Sequence, residues 1–161
     1  MSDLKQVGMA ELKVVRSPDR LITAGLGSCI GICLIDKTAK VGGMAHIMLP
    51  SSIQARNAQN RAKFADTAVE DMIYEMEKLG AIKRRIVAKI AGGAQMFKIS
   101  AASDIMKIGL RNDQAVESAL AQAKIRIVAK DTGGNFGRTI IFDTESGDLL
   151  VRTIGHGEKI I

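Results

Sequence analysis

The sequence predicts an α+β fold in which mostly antiparallel β-sheet layers pack against two main helices. Short apolar runs alternate with turn-forming Gly, Pro, Asn and Asp residues in both halves of the chain, a pattern typical of strands joined by tight turns. Two longer segments, near residues 64–79 and 113–124, carry apolar residues at three- and four-residue spacing, which indicates amphipathic helices. Because most predicted strands follow one another through short turns, we expect antiparallel pairing.

The first half of the chain is predicted to form four strands. Their ranges are 11–16, 21–24, 29–36 and 41–49. Turn signals separate them at Ser17-Pro18-Asp19, in the glycine-rich loop 25–28 and in the polar connection 37–40. The last two strands are apolar on both faces, which is typical of strands buried on both sides.

The second half begins with a polar loop and the first helix, which we expect to end at Gly80 because glycine favours the helix C-terminus. Asn112 or Asp113 is predicted to cap the second helix. The remaining strands are predicted at 85–90, 125–129, 138–142 and 149–154, with turns at Gly133-Gly134 and 145–148.

The composition predicts one domain over residues 1–161, since 161 residues with 47% hydrophobic content can bury a substantial core. The net charge of +6 suits nucleic acid or an acidic protein. Basic residues are spread along the chain, however, and aromatic residues that would stack on bases make up only 3%. We therefore expect no nucleic-acid binding.

The N-terminal segment lacks the apolar core of a signal peptide, and no stretch is long enough to span a bilayer. We therefore expect a cytoplasmic protein without membrane insertion. Thiols stay reduced in that compartment, so Cys29 and Cys33 are predicted to be free. Two Cys and one His at these spacings do not form a zinc pattern, and we expect no metal or organic cofactor.

The predicted hairpin of strands 29–36 and 41–49 brings a thiol close to an imidazole. If residues 37–40 form its turn, Gly31 faces His46, and both cysteines become diagonal neighbours of His46 on one face of the sheet. Diagonal neighbours lie about 7–8 Å apart at Cα, and an adjacent base is what a cysteine nucleophile needs. A slip of one residue would move His46 to the other face.

The flanking residues favour Cys29 over Cys33 as the nucleophile. Cys29 follows Gly27-Ser28, where backbone N–H groups outside a strand ladder can stabilise an oxyanion and favour the thiolate. Cys33 lies among aliphatic residues, where a thiol packs as a small hydrophobe. The glycines of the facing strand, Gly42 and Gly43, are expected to leave room for a substrate.

Each of these residues, taken alone, also fits a role in the fold. A cysteine in an apolar strand often belongs to the core, and His46 between Met44 and Met48 fits a buried, hydrogen-bonded histidine. Gly27-Ser28 also fits a simple turn. The second histidine, His156, lies between glycines near the end of the chain and is predicted to be an exposed loop residue.

Several motifs together resemble the CheD family of chemoreceptor glutamine deamidases. They are LGSC at 26–29, GGMAHIMLP at 42–50, Gly92-Gly93-Ala94 with Met96, Ile108-Gly109 with Arg111-Asn112, and Asp131 with Gly133-Gly134, Gly137 and Arg138. The motifs run in order from about Leu21 to Val151. The resemblance implies that Cys29 is the nucleophile, that His46 is the catalytic histidine and that Thr23 holds the histidine in place. It also implies a fold similar to the catalytic domain of the cytotoxic necrotizing factor toxins.

The resemblance implies conversion of receptor Gln side chains to Glu, with release of ammonia through a thioester on Cys29. Backbone N–H groups at Gly27 and Ser28 would support the oxyanion. The implied partners are chemotaxis receptors and a CheC-type phosphatase of the response regulator. Two alternatives stay open: a binding and regulatory module for that phosphatase, or a methylesterase acting on receptor glutamates.

Overall fold

A computed structural model describes residues 2–53, 55–96 and 107–161. Within these residues the chain forms ten strands and two α-helices. The strands are β1 (Leu4–Gln6), β2 (Leu12–Arg16), β3 (Arg20–Leu26), β4 (Ile30–Asp36), β5 (Val41–Ile47), β6 (Val87–Gly92), β7 (Arg126–Thr132), β8 (Arg138–Asp143), β9 (Leu149–Thr153) and β10 (Gly157–Ile160). The helices are α1 (Ala65–Lys78) and α2 (Ile108–Gln122).

The strands form two five-stranded sheets. The central sheet has the order β2-β5-β4-β6-β7, and the outer sheet has the order β1-β3-β8-β9-β10. Among the described strands only the pairs β1–β3 and β6–β7 are parallel. The predicted α+β class, with mostly antiparallel sheets and two main helices, is confirmed at this level.

The central sheet is covered on both faces, so every residue of β4 and β5 is buried. Because successive side chains of a strand point to opposite faces, Ile30, Ile32 and Leu34 join the core that α1 and α2 cover. Cys33 and Ile35 instead join a second core against the outer sheet. This two-sided burial is what the apolar character of both strands predicted.

The β4–β5 register matches the sequence prediction, with Gly31 opposite His46 and Asp36 opposite Val41. Glycine at position 31 allows the outer sheet to pack closely, since a Cβ there would lie 2.5 Å from Ile140 Cδ1.

The expectation that Gly42 and Gly43 leave room for a substrate is wrong. A Cβ at Gly42 would lie 2.8 Å from Thr144 Cγ2, and one at Gly43 would lie 3.0 Å from Val14 Cγ2. Side chains of the core already fill both positions. These two glycines therefore serve the packing of the layers.

The start of the second helix was also predicted wrongly. Helix α2 begins at Ile108, so Asn112 and Asp113 lie inside it and do not cap it. Asn112 directs its side chain to distant carbonyl groups, and such tertiary contacts override the capping preference of Asn. The edge strands β1 and β10 were not predicted, because all their residues are exposed and carry no apolar alternation.

Asp36 ties the β4–β5 turn to the segment after α1. Its carboxylate is fully buried and accepts hydrogen bonds from the N–H of Ile82 at 2.8 Å and from the N–H of Ala39 at 3.1 Å. It also pairs with the guanidinium of Arg85, whose Nε lies 3.1 Å from both carboxylate oxygens.

Replacement of this carboxylate in Asp36→Ala should lower the free energy of unfolding by about 3 kcal/mol, because Arg85 and two backbone N–H groups lose their buried partner. Urea denaturation followed by circular dichroism measures this change. The matched control is Glu77→Ala, which removes an exposed carboxylate of α1 and should stay within about 0.5 kcal/mol of wild type. Equal stability of the two variants would contradict the assigned role of Asp36.

Candidate active site

The predicted site residues come from three neighbouring segments of the two sheets. Cys29 immediately precedes β4, His46 is the sixth residue of β5, and Thr23 lies in β3 of the outer sheet. Because Gly31 pairs with His46, Cys29 is a diagonal neighbour of His46 on the face toward the outer sheet. The side chains of Thr23 and His46 are both buried.

A hydrogen bond between Thr23 and His46 determines which imidazole nitrogen carries the proton. Thr23 Oγ1 lies 2.7 Å from His46 Nδ1 and 2.7 Å from the carbonyl oxygen of Val7. A carbonyl oxygen only accepts, so the single hydroxyl proton is donated to Val7. The hydroxyl oxygen must then accept from Nδ1–H. This leaves the lone pair of a neutral imidazole on Nε2.

Nε2 of His46 is buried and has no hydrogen-bond partner in residues 2–53, 55–96 and 107–161. A buried acceptor without a donor lowers stability, so this atom is poised to take a proton from a group that approaches it. The Cys29 thiol lies on the same face of the sheet. Hydrogen bonds between catalytic groups often shorten only when a substrate is bound.

Burial keeps both groups neutral in the resting protein. It raises the pKa of the Cys29 thiol, and the N–H of Cys29 itself offsets only part of this rise. Burial also lowers the pKa of His46. Of the backbone N–H groups predicted to favour the thiolate, only that of Cys29 itself acts on the thiol in this direction among the described residues, and burial has the larger effect. A neutral thiol beside a neutral imidazole requires that proton transfer accompany nucleophilic attack.

Exposure separates the two free cysteines. Cys29 keeps 7% of its surface accessible, whereas Cys33 is completely enclosed in the core between the sheets. Burial raises the pKa of Cys33 far above its ordinary value. Cys33 is thus an inert core thiol, and Cys29 is the thiol that a substrate can reach.

The Cys29 loop (residues 27–29) is held in place through its carbonyl groups. The oxygen of Gly27 accepts from the N–H of Ala94 at 2.8 Å, and the oxygen of Cys29 accepts from the N–H of Gly93 at 2.8 Å. The oxygen of Ser28 accepts from the side chain of Asn112 at 3.0 Å. The N–H of Gly27, which was expected to support the oxyanion, donates instead to the oxygen of Gly25 at 3.0 Å. The N–H groups of Ser28 and Cys29 have no oxygen acceptor within the described part of the chain.

The turn that supports the Cys29 loop needs glycine at two positions. Gly92 has φ of +117°, and a Cβ there would lie 2.2 Å from the oxygen of Cys29. A Cβ at Gly109 of α2 would lie 2.4 Å from the oxygen of Ala94. Only glycine therefore allows the end of β6 to approach the oxygen of Cys29, and the start of α2 to approach the turn after β6, this closely.

A buried arginine completes this support. Arg138 donates to the oxygen of Gly92 at 3.2 Å and pairs with the carboxylate of Asp131 at 3.3 Å. The sequence motifs include Asn112, Asp131 and Arg138, but no role at the site was predicted for these residues. Their joint occurrence with Gly92-Gly93 was the signal that pointed to them.

Other features lie apart from this site. Within the described residues no three His, Cys, Asp or Glu side chains are grouped so that they could hold a metal ion. His156 is exposed in a turn, as predicted, with its ring 4.4 Å from that of Phe136. None of the helices in the described ranges has the length and apolar character needed to cross a membrane.

A reachable thiol with an oriented imidazole and free backbone N–H groups is an arrangement typical of cysteine hydrolases. Residues 48–153 match the family model for CheD chemotactic sensory transduction. The chain is 65% identical, over 100% of both chains, to a probable chemoreceptor glutamine deamidase CheD of Syntrophomonas wolfei. It is 55% identical, over 99% of both chains, to the protein of the same name from Caldanaerobacter subterraneus. The chain therefore belongs to the CheD family.

Among solved structures, the fold is similar to that of a Neisseria meningitidis protein of the DUF152 family. The TM-score is 0.53 at 7% sequence identity, and the match covers 82% of this chain and 64% of that chain. At this identity the likeness concerns the fold alone. The expected similarity to the cytotoxic necrotizing factor toxins stays a prediction.

The tautomer of His46 can be measured directly. Nitrogen-15 NMR of histidine-labelled protein at neutral pH should show the proton of His46 on Nδ1, because Thr23 accepts from that atom. Thr23→Val removes the acceptor at nearly constant volume, so the tautomer ratio should shift by roughly five- to tenfold, as expected for one hydrogen bond. Thr23→Ser keeps the hydroxyl and should retain the wild-type spectrum. A Nε2–H signal in wild type would refute the assignment.

The ionisation of Cys29 is tested by alkylation with iodoacetamide as a function of pH, with the labelled peptide identified by mass spectrometry. Only the thiolate reacts, and burial raises the pKa of Cys29 from its ordinary value of 9.0. The midpoint of the rate profile should therefore lie above 9.0. Cys33 should react only in denaturant. A midpoint below the ordinary value would show that the resting site stabilises a thiolate.

Proposed function

We propose that this protein, acting as one domain over residues 1–161, deamidates glutamine side chains of chemotaxis receptors with Cys29 as the nucleophile. The observation that carries the proposal is the orientation of His46, whose unprotonated Nε2 faces the same side of the sheet as the accessible thiol. The names of the full-length relatives, which are called probable chemoreceptor glutamine deamidases, support the substrate class.

In the first half of the reaction, His46 Nε2 takes the thiol proton as Cys29 Sγ attacks the carboxamide carbon of glutamine. The carbonyl oxygen becomes an oxyanion, which the N–H groups of Ser28 and Cys29 stabilise. The protonated imidazole then donates its proton to the leaving nitrogen. The C–N bond breaks, ammonia leaves, and a thioester joins Cys29 to the substrate side chain.

In the second half, His46 Nε2 takes a proton from water as the water oxygen attacks the thioester carbon. The C–S bond breaks, the thiol of Cys29 recovers its proton, and glutamate is released. Thr23 keeps Nδ1 protonated throughout, and thereby keeps Nε2 directed at the reacting atoms. A hydroxyl stabilises the imidazolium less than a carboxylate does, which agrees with a site whose resting groups are neutral.

Receptor methyl esters are the second candidate substrate, because the same thiol can attack an ester carbonyl and the same N–H groups can stabilise its oxyanion. Methoxide is also a better leaving group than the amide anion of an unprotonated carboxamide. A binding module for a CheC-type phosphatase remains the non-catalytic alternative, and that partner is a prediction from family resemblance. A binding role does not require the proton arrangement of His46, so the site geometry favours an enzyme.

The test is ammonia release from a purified cytoplasmic receptor fragment, with mass spectrometry of its peptides. Wild type should replace a side-chain amide with an acid, whereas an esterase would remove a methylene from a methylated glutamate.

Cys29→Ala should lose at least about 1,000-fold in rate, because no other thiol can form the intermediate. The matched control Cys33→Ala should remain active. Full activity of Cys29→Ala would falsify the proposal, and loss of methyl groups without ammonia would favour the esterase.

A further inference from the structure

Asn112 joins the two segments that carry the reacting side chains. Its side chain is fully buried in α2. The amide nitrogen lies 3.0 Å from the oxygen of Ser28, in the Cys29 loop, and 3.0 Å from the oxygen of Met48. Met48 follows β5 directly and is two residues beyond His46. One carboxamide therefore connects the thiol segment to the imidazole segment.

Simple chemistry determines the orientation of this carboxamide. The amide nitrogen carries two hydrogens, and both neighbouring oxygens are backbone carbonyls that can only accept. The flipped orientation would place the side-chain oxygen against two carbonyl oxygens. The side-chain amide of Asn112 therefore donates one hydrogen to the oxygen of Ser28 and the other to the oxygen of Met48. No other side chain in the described residues donates to either oxygen.

These bonds set the direction of the N–H groups in the Cys29 loop. In a trans peptide, the C=O and the N–H point in opposite directions within one plane. Because the oxygen of Ser28 is directed at Asn112, the N–H of Cys29 must point away from α2. In the same way, the bond from Ala94 to the oxygen of Gly27 directs the N–H of Ser28 away from its support.

The groups that hold these two peptides come from segments that pack on each other. A Cβ at Gly109 would lie 2.4 Å from the oxygen of Ala94 and 2.6 Å from the oxygen of Gly93, so the start of α2 packs directly on the turn after β6. The N–H of Cys29 points away from Asn112 and the N–H of Ser28 points away from Ala94, and neither has an oxygen acceptor among the described residues. Two unpaired, adjacent N–H groups of this kind are what a developing oxyanion requires.

We propose that Asn112 is a positioning residue for the deamidation reaction: its carboxamide fixes the plane of the Ser28–Cys29 peptide so that the Cys29 N–H faces the oxyanion, and it holds that peptide in register with the His46 strand. The inference rests on the proposed function and adds a residue to it. Asn112 does not touch the substrate and acts through the backbone of Ser28.

The orientation of the Ser28–Cys29 peptide also affects the pKa of the Cys29 thiol. The N–H of Cys29 lowers the pKa of the Cys29 side chain and so opposes the effect of burial. When Asn112 no longer holds the oxygen of Ser28, this N–H turns away and the pKa rises further. Catalytic rate and thiol ionisation should therefore change together, which a purely structural role for Asn112 does not require.

The experiment compares Asn112→Ala and Asn112→Asp with wild type. Both variants remove the two donors, and the alanine variant does so without adding a charge that would itself shift the thiol. We expect kcat on the receptor fragment to fall about 100-fold, the usual effect of losing one oxyanion donor, while KM stays near the wild-type value. In Asn112→Ala the midpoint of Cys29 alkylation should move to higher pH.

The matched control is Val116→Ala, one turn further along α2. Val116 is equally buried and packs in the helix-side core, but it makes no hydrogen bond to the Cys29 loop. This variant should lose thermal stability while keeping kcat and the alkylation midpoint. If Val116→Ala loses as much kcat at a temperature where it is folded, or if both Asn112 variants keep the wild-type kcat and midpoint, the inference is overturned.

Failure of the proposed function would look different. A wild-type protein that releases no ammonia from the receptor fragment would contradict the deamidase reaction whatever the Asn112 variants do. The alkylation midpoint needs no substrate and still decides the positioning role. An upward shift in folded Asn112→Ala would support control of the peptide plane, and an unchanged midpoint would overturn it.

Discussion

Burial of the central sheet on both faces is the constraint from which the chemistry of this protein follows. The outer sheet closes over β4 and β5, with close approach permitted by glycines such as Gly31. His46 is thereby cut off from water, which lowers its pKa and leaves it neutral. A buried imidazole needs a partner from the protein, and Thr23 supplies it from the covering sheet. The element that excludes water also supplies the group that orients the base.

The remaining half of the site is built from backbone groups. Side-chain nucleophiles can be placed by strand register alone, but oxyanion donors require that particular peptide planes be held against rotation. In this protein three successive carbonyls of the Cys29 loop accept hydrogen bonds from the turn after β6 and from α2. Gly92 and Gly109 permit the close contacts, and Arg138 with Asp131 secures the turn beneath. Several of the residues that carry the family resemblance therefore support one loop, namely Gly92, Gly109, Asn112, Asp131 and Arg138.

Because Cys29 and His46 are neutral in the resting protein, charge appears at the site only during the reaction, close to the backbone N–H groups that stabilise it. An ion pair between thiolate and imidazolium would need compensation for the loss of solvent at a buried site. A neutral pair avoids that requirement, and charge develops only when the substrate carbonyl has become the oxyanion. The N–H groups of Ser28 and Cys29 are then close to the new negative charge. Such an arrangement limits the reaction of Cys29 with other electrophiles while the site is empty.

The sequence by itself determined the local features of this protein. Continuous apolar runs and the polar connection between them predicted the β4–β5 hairpin with its register, and hence the shared face of Cys29 and His46. The three- and four-residue spacing predicted both helices, and the motifs predicted the family. These signals succeed because a strand or helix repeats over a few residues, and its period is set by local backbone geometry.

The tertiary structure alone decided what lies across these elements. It placed the carbonyl of Val7 against Thr23 and thereby assigned the proton of His46. It also placed Asn112 inside α2, against a loop 84 residues earlier in the chain, where local preference had predicted a helix cap. Contacts between segments far apart in sequence depend on how whole layers pack, and no local period encodes that packing.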